Sequence, residues 1–252
     1  GIDTISTGGT IAFAMECVER GFLDEPWLRF GDGAALLKAI NLIGTGAGLG
    51  KLLRQGSRAM ATMIGHNSIE FAPQVKGLEI PGYEPRALQT MALGFAVGTR
   101  GADHNRSGAY EVDFSDSVDR RNGTADAARL AVDTENKAAI MDSLILCKFL
   151  RGVFIDYFAE TAELLNLITG WNLDQSAMQN MARGIIDAKK EFNIRCGWTP
   201  AEDTLPQRML NSALQDDPDA KLDTQTLQTM ITAYNLKRGW TVDGYLDETS
   251  SD

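Results

Sequence analysis

The chain has 252 residues, 44% hydrophobic and 23% charged, enough apolar material for one large domain or two small ones. Its net charge of −10 excludes unaided nucleic-acid binding, which needs a basic footprint, and disfavours an anionic membrane surface. No run of about 18 apolar residues is present and the start lacks a signal-peptide pattern, so no membrane partner is expected. Cys17, Cys147 and Cys196 are an odd set without CxxC spacing, which fits a reducing cytoplasm better than a disulfide framework. The chain opens on Gly1 rather than Met, as expected of a piece of a longer protein.

Helix formers dominate the long segments, so the expected fold is all-α and multihelical. A first helix should open near Ser6 or Thr7 and stop at Gly21. A second follows Asp32, with Leu36, Leu37, Ile40 and Ile43 at helical spacing. The glycines from Gly44 to Gly50 separate it from a third helix through Leu52 and Met63. Residues Ala72 to Ile80 alternate and predict extended chain. Pro85 precedes a helix from Arg86 to about Gly98. Gly101 to Gly123 has no helical period and predicts a long polar loop, a length that usually carries function. Helices are expected again over 125–150, 153–168, 174–193 and 224–237, with an acidic tail that frays. Residues 1–74 are read as the remainder of one helical domain and residues 75–252 as a second.

The segment Thr99-Arg100-Gly101-Ala102-Asp103-His104 sets one of only two histidines beside an aspartate and an arginine, just past an apolar helix. An imidazole near its ordinary pKa can pass a proton either way at neutral pH. His66, between Gly65 and Asn67, is expected in an exposed turn. Cys147 lies late in an apolar stretch, where a free cysteine behaves as a small hydrophobe; as a metal ligand it would need companions elsewhere. Asp142, upstream of it on an apolar face, calls for a buried donor. Asp3 taken alone is a helix cap, and Asp103, Arg106, Glu111 and Asp113 are expected as solvated loop charges. No Walker sequence, GxGxxG after a strand, GxSxG or HExxH occurs, so nucleotide hydrolysis and simple metalloprotease chemistry have no support.

Six short segments in order resemble the C-terminal half of the aldehyde:ferredoxin oxidoreductase family, the tungsten or molybdenum bis-pterin enzymes. They are Lys76-Gly77-Leu78-Glu79, Tyr83-Glu84-Pro85-Arg86, Thr99 to His104, Cys147-Lys148-Phe149, Glu191-Phe192-Asn193 and Asp203-Thr204-Leu205-Pro206-Gln207-Arg208. Gly1-Ile2-Asp3 resembles the end of the first pterin-binding motif of that family, Asp-x-x-Gly-Leu-Asp/Cys. Asp142 to Cys147 resembles the second, with Ile145 where the family usually has Gly. The resemblance implies that Asp3 and Asp142 accept hydrogen bonds from the two pterins, with Leu146 and Cys147 completing the second motif. It implies Cys147 as one thiolate of a [4Fe-4S] cluster and His104 as proton donor or acceptor in oxidation of an aldehyde to a carboxylic acid. Electrons would pass through the cluster to ferredoxin or another electron-transfer subunit. The cofactor is expected between the two helical parts, with Asp3, His104, Asp142 and Cys147 converging near one edge. An apolar patch should face a missing N-terminal part of the same enzyme. Two alternatives stay open: the same scaffold reducing an aromatic acyl-CoA thioester, or a non-enzymatic helical fragment.

Overall fold

Aspartate side chains start most of the long helices. The structure is a computed structural model that describes residues 1–247. In chain order its helices are α1 (Thr4–Glu19), α2 (Gly33–Thr45), α3 (Gly50–Leu53) and α4 (Gly56–Ile64). The hairpin β1 (Gln74–Val75) and β2 (Leu78–Glu79) follows, then α5 (Gln89–Val97), α6 (His104–Ser107) and α7 (Tyr110–Asp113). The remainder is α8 (Ala125–Ser143), α9 (Tyr157–Thr169), α10 (Gln175–Arg195), α11 (Gln207–Asn211) and α12 (Thr224–Arg238). Asp3, Asp32, Asp103, Asp156, Asp174 and Asp223 each accept a backbone N–H of the helix they precede, and Thr124 does so for α8. Each such cap is worth about 1 kcal/mol. The all-α reading therefore holds, with one two-stranded hairpin (Gln74↔Glu79, Val75↔Leu78) added where extended chain was expected.

Several boundaries differ from the sequence expectation, for identifiable reasons. α1 starts at Thr4 because Asp3, not Ser6 or Thr7, is its cap. The third helix splits in two at Gly56, whose φ is +80°. α5 opens three residues late because Asp113, from 22 and 23 positions downstream, accepts the N–H groups of Thr90 (3.0 Å) and Met91 (2.8 Å). The expected long loop contains α6 and α7. Residues 241–247 do not fray: Trp240 and Leu246 form an antiparallel bridge. The rest of that tail, residues 248–252, lies outside the described residues.

Three apolar clusters form the interior. One gathers Ile11 and Phe13 of α1, Leu53 of α3 and Met60 of α4 with Leu28, between α1 and α2, and Phe71, after α4. The second surrounds α5, every residue of which is buried, and includes Val132, Ile186, Met230, Tyr234 and Trp240. A helix apolar on all sides belongs at the centre. The third joins Ile140, Met141, Tyr157, Phe158, Met178 and Ala182, where α8, α9 and α10 meet.

Polar ties join the clusters. Arg238 of α12 is fully buried, donates from Nε to the Tyr234 hydroxyl (3.1 Å) and pairs with Glu135 of α8. Arg208 donates to Glu16 of α1 (2.9 Å). Asp203 is shared by Lys76 (2.7 Å), Lys190 (3.4 Å) and the Trp198 indole N–H (3.0 Å). The Lys190 ammonium also lies 3.1 Å from the Trp198 ring centroid. Burial is the chief cause that brings its pKa down to about 8, with Lys76 adding to it and Asp203 opposing.

Two outcomes follow for stability. Asp203→Asn leaves two buried ammoniums without their shared anion and should cost about 3–5 kcal/mol in urea denaturation. Lys190→Met should cost about 1 kcal/mol or less, because Lys76 still neutralises Asp203; equal losses would contradict the sharing. Burial raises the Asp113 pKa to about 6, against the opposing effect of its two backbone hydrogen bonds. A folded-state pKa above the unfolded one gives stability that is fully present below about pH 4 and lost as pH rises through 6. Relative to Asp113→Asn, the wild-type chain should lose about 2–3 kcal/mol over that window; parallel pH profiles would contradict it.

Candidate functional site

The site grows from the two loops that follow α5 and α8. After α5 the chain turns at Gly101 (φ +86°), where a Cβ would meet the Val75 carbonyl oxygen at 2.1 Å. Asp103 then caps α6, accepting from Asn105 N (3.0 Å) and Arg106 N (3.3 Å). This places His104 at the first position of α6, half-buried against Tyr83 (ring centroids 5.1 Å) and Tyr110 (6.2 Å). Tyr83 and Tyr110 stack at 5.1 Å. Desolvation lowers the His104 pKa, Arg151 adds to that, and Asp103 opposes. The neutral form of the imidazole, which can accept a proton, is therefore favoured.

α8 carries Asp142 in its last turn. Arg106 of α6 pairs with it, and Lys148 binds its other oxygen at 2.5 Å. Arg106 also lies 3.8 Å from Asp103, and Arg100 pairs with Asp103 at 2.7 Å. A second tie runs beside the first. Arg151 donates to the Asn105 carbonyl (2.9 Å), pairs with Glu111 (3.1 Å) and donates to the Tyr110 hydroxyl. The loop bearing His104 and the loop bearing Asp142 and Cys147 are thus held against each other at one edge. Asp3 has no hydrogen bond or ion pair with them among the described residues. Its hydrogen bond from Ser6 N (2.7 Å) is the main reason its pKa is lowered, and the Arg100 guanidinium contributes.

Several expectations are corrected here. Asp142 has no fully buried donor: its partners are two cations that are themselves partly exposed, Arg106 and Lys148. Cys147 is exposed rather than packed as a small hydrophobe, because α8 ends at Ser143, four residues before it; Cys17 is the buried cysteine. Asp113 is a buried cap, Glu111 and Arg106 are paired, and Asp103 is an inward-turned cap, so none of the four is a merely solvated charge. His66 does sit in an exposed turn, stacked on Phe22 at 4.6 Å. Leu146 is half-buried against the third cluster.

The loop after α8 is strained and apolar. Ile145 has φ +58°, a left-handed conformation that glycine adopts freely and a β-branched residue does not. Its side chain is 91% exposed, and Phe149 (95%), Val153 and Ile155 are exposed beside it in sequence. Beneath the loop the Tyr157 hydroxyl is buried without a hydrogen-bond partner among the described residues, and burial pushes its pKa to about 12. A cleft of about 460 Å³ adjoins, lined by Thr99, Arg100, Arg106, Lys189, Phe192 and Asn193. Lys189 has no ion-pair partner among the described residues; burial lowers its pKa, and Arg106 repels it further.

Sequence reasoning assigned no place at the site to Tyr83, Tyr110, Lys148, Arg151 or Lys189. Tyr83 and Lys148 had a local signal, in the segments that carry the family resemblance; the others come together only through tertiary packing.

Ile145→Gly should raise stability by about 0.5–1 kcal/mol, the release of left-handed strain exceeding the added freedom of glycine in the unfolded chain. That is a rise in Tm of about 1–4 °C for a chain of this size. A fall in Tm would show that the backbone there is unstrained.

The family model described as aldehyde ferredoxin oxidoreductase, domains 2 & 3, matches residues 1–251. A tungsten-containing aldehyde ferredoxin oxidoreductase of Thermococcus kodakarensis is 32% identical over 263 aligned residues, covering 100% of this chain and 42% of that protein. The one of Pyrococcus furiosus is 33% identical over 255, covering 97% of this chain and 41% of its own length. The chain therefore spans about two fifths of the length of these relatives. Among solved structures, the active-site complex BamBC of benzoyl coenzyme A reductase with 1,5-dienoyl-CoA superposes with a TM-score of 0.77. That match covers 99% of this chain and 43% of the other at 18% identity, a likeness of fold. With the family match running almost end to end, the chain belongs to the aldehyde ferredoxin oxidoreductase family, in its domains 2 and 3.

Proposed function

We propose that this chain supplies the helical part of a tungsten- or molybdenum-dependent bis-pterin enzyme that oxidises aldehydes to carboxylic acids. In this reading it comprises two helical parts, residues 1–74 and 75–252. The observation that carries the reading is the ionic chain Arg100–Asp103–Arg106–Asp142–Lys148, which sets the His104 loop against the Asp142–Cys147 loop.

The residues present suit such a cofactor at an edge. Among the described residues no group of three or more His, Cys, Asp or Glu could hold a metal ion, so this chain would contribute single ligands rather than a cage. Cys147 is exposed and free, as one thiolate of a [4Fe-4S] ligand set completed elsewhere requires. Asp142 keeps acceptor capacity beyond its two cations and would take a pterin amino group, as would the solvent-facing Asp3. Leu146 would seat the second motif on the third apolar cluster. Arg106, Lys148 and Lys189 give the surroundings of Asp142 the positive field that a phosphate-bearing group favours. When bound, the group supplies the two-electron redox chemistry and passes electrons onward through the cluster.

The protein's own share is positioning and proton movement. Tyr83 and Tyr110 fix the His104 ring and exclude water from one side of it. Held neutral, an imidazole nitrogen of His104 accepts the proton released as the aldehyde is oxidised. The exposed apolar run of Ile145, Phe149, Val153 and Ile155 would be covered by the remainder of the enzyme. Ferredoxin or another electron-transfer subunit would receive the electrons, in the cytoplasm. Among the described residues no helix is long and apolar enough to cross a membrane. A second reading has support from the fold likeness to a benzoyl coenzyme A reductase complex: the same scaffold reducing an aromatic acyl-CoA thioester.

Metal and pterin analysis of the enzyme carrying this chain, with aldehyde-dependent viologen reduction, separates these readings. Tungsten or molybdenum with pterin and activity on free aldehydes is expected, and His104→Asn should lower kcat by about 100-fold or more. Absence of both metals from active enzyme, or turnover of acyl-CoA thioesters in place of aldehydes, would overturn the aldehyde reading.

A further inference from the structure

Glu79, on the hairpin, is a buried carboxylate that uses one of its two oxygens. The residue is 3% exposed. Its Oε1 accepts from Ser57 N (2.7 Å), Ser57 Oγ (2.8 Å) and Thr10 Oγ1 (3.1 Å). Its Oε2 has no hydrogen bond, and no cation lies within ion-pair distance of either oxygen among the described residues. The placement is built in: a Cβ on Gly9 would stand 2.9 Å from Glu79 Cβ, and one on Gly56 would stand 3.3 Å from Oε1. Two glycines make room for this one side chain.

The same carboxylate lines a cavity of about 320 Å³ between α1, the end of α2 and α3. Ser6, Thr7 and Thr10 present hydroxyls on one wall, and Ile43 and Leu53 form an apolar wall. Arg54 also lines the cavity but leaves Glu79 uncompensated, since its Nη1 lies against Gly46, the C-terminal cap of α2. That end of a helix is where a cation is favoured.

Oε1 is satisfied by three donors, one of them the Ser57 N–H in the first turn of α4, whose dipole favours a negative charge. Oε2, which has no protein donor and touches solvent, is left to a donor from the cavity. A divalent metal is a poor match, because Glu79 is the single carboxylate on the wall and among the described residues no group of three or more His, Cys, Asp or Glu could hold a metal ion. A neutral alcohol would leave the charge standing. We propose that the cavity is a binding site for a primary alkylammonium group. Its N–H bonds are directed to Glu79 Oε2 and the threonine and serine oxygens, and its short apolar stem lies along Ile43 and Leu53. This site does not involve Asp142, His104 or Cys147; Ile2 and Ser6, on either side of Asp3, border it.

The test is an NMR titration of the purified protein with n-butylammonium and, in parallel, 1-butanol, following the amide signals of Ser57 and Thr10. Saturable shifts with n-butylammonium are expected, with affinity at least about tenfold above that for 1-butanol. Glu79→Gln should remove the preference for the cation. Thr7→Val, on the cavity wall outside the Glu79 hydrogen bonds, should weaken it severalfold, and Arg54→Met should tighten it by removing a like charge. Equal affinity for the two probes overturns the proposal, as does an absence of saturable shifts. So does indifference to Thr7→Val and Arg54→Met, a result that can be read even where Glu79→Gln fails to fold.

Discussion

One arginine joins the two functional loops. Arg106, in the single turn of α6, reaches Asp103 in its own loop and Asp142 at the end of α8, 36 residues away. No strand pairing or disulfide links these segments among the described residues; this bridge is joined by Lys148 (3.5 Å) and Arg151 (2.9 Å) on the Asn105 carbonyl and by Thr134 of α8 on the Ser107 carbonyl (2.9 Å). The Arg106 and Asp142 side chains are 45% and 20% exposed, so solvent screens the pair and its share of global stability is small, about 1 kcal/mol or less. In the proposed reading its importance is geometric: it holds the loop of His104 against the loop of Cys147.

The polar bridge lies beside an apolar and strained segment. α8 delivers Asp142 and then stops, Ile145 takes a left-handed conformation, and four large apolar side chains through Ile155 face outward. Strain and exposure of this kind lower stability locally, and folds tolerate them where a rigid neighbourhood holds the backbone in place. That rigidity comes from the third apolar cluster directly beneath and from the fully buried helix α5 farther in. The cost is concentrated where the proposed cofactor and the rest of the enzyme would meet the chain.

Much of this was legible in the residues. Asp32, Asp174 and the pattern after Asp223 marked helix starts because an aspartate before an apolar-periodic run has one economical conformation. His66 was readable as a turn from its glycine and asparagine neighbours. The segment from Gly101 to Gly123 was not. Its two short helices owe their existence to Asp103 turning inward and to Asp113 binding the start of α5, both decided by tertiary contacts that periodicity does not carry. The same limit hid the ring of Tyr83, Tyr110 and Arg151 around His104, whose members come from three separate segments. The exposure of Cys147 was hidden because the apolar run around it reads as helix interior, whereas Leu144, Leu146 and Leu150 pack on the third cluster and leave Ile145, Cys147 and Phe149 facing outward. The family's usual Gly at position 145 was the local hint, since a left-handed residue ends a helix.

The ionic link itself can be measured by a double-mutant cycle of Arg106→Ala and Asp142→Asn in urea denaturation, with the His104 ring protons followed by NMR in all four proteins. A coupling energy of about 0.5–1 kcal/mol is expected, with both single variants shifting the His104 signals as the loops part. Strictly additive stabilities with unmoved His104 signals would show that Arg106 does not hold the two loops together.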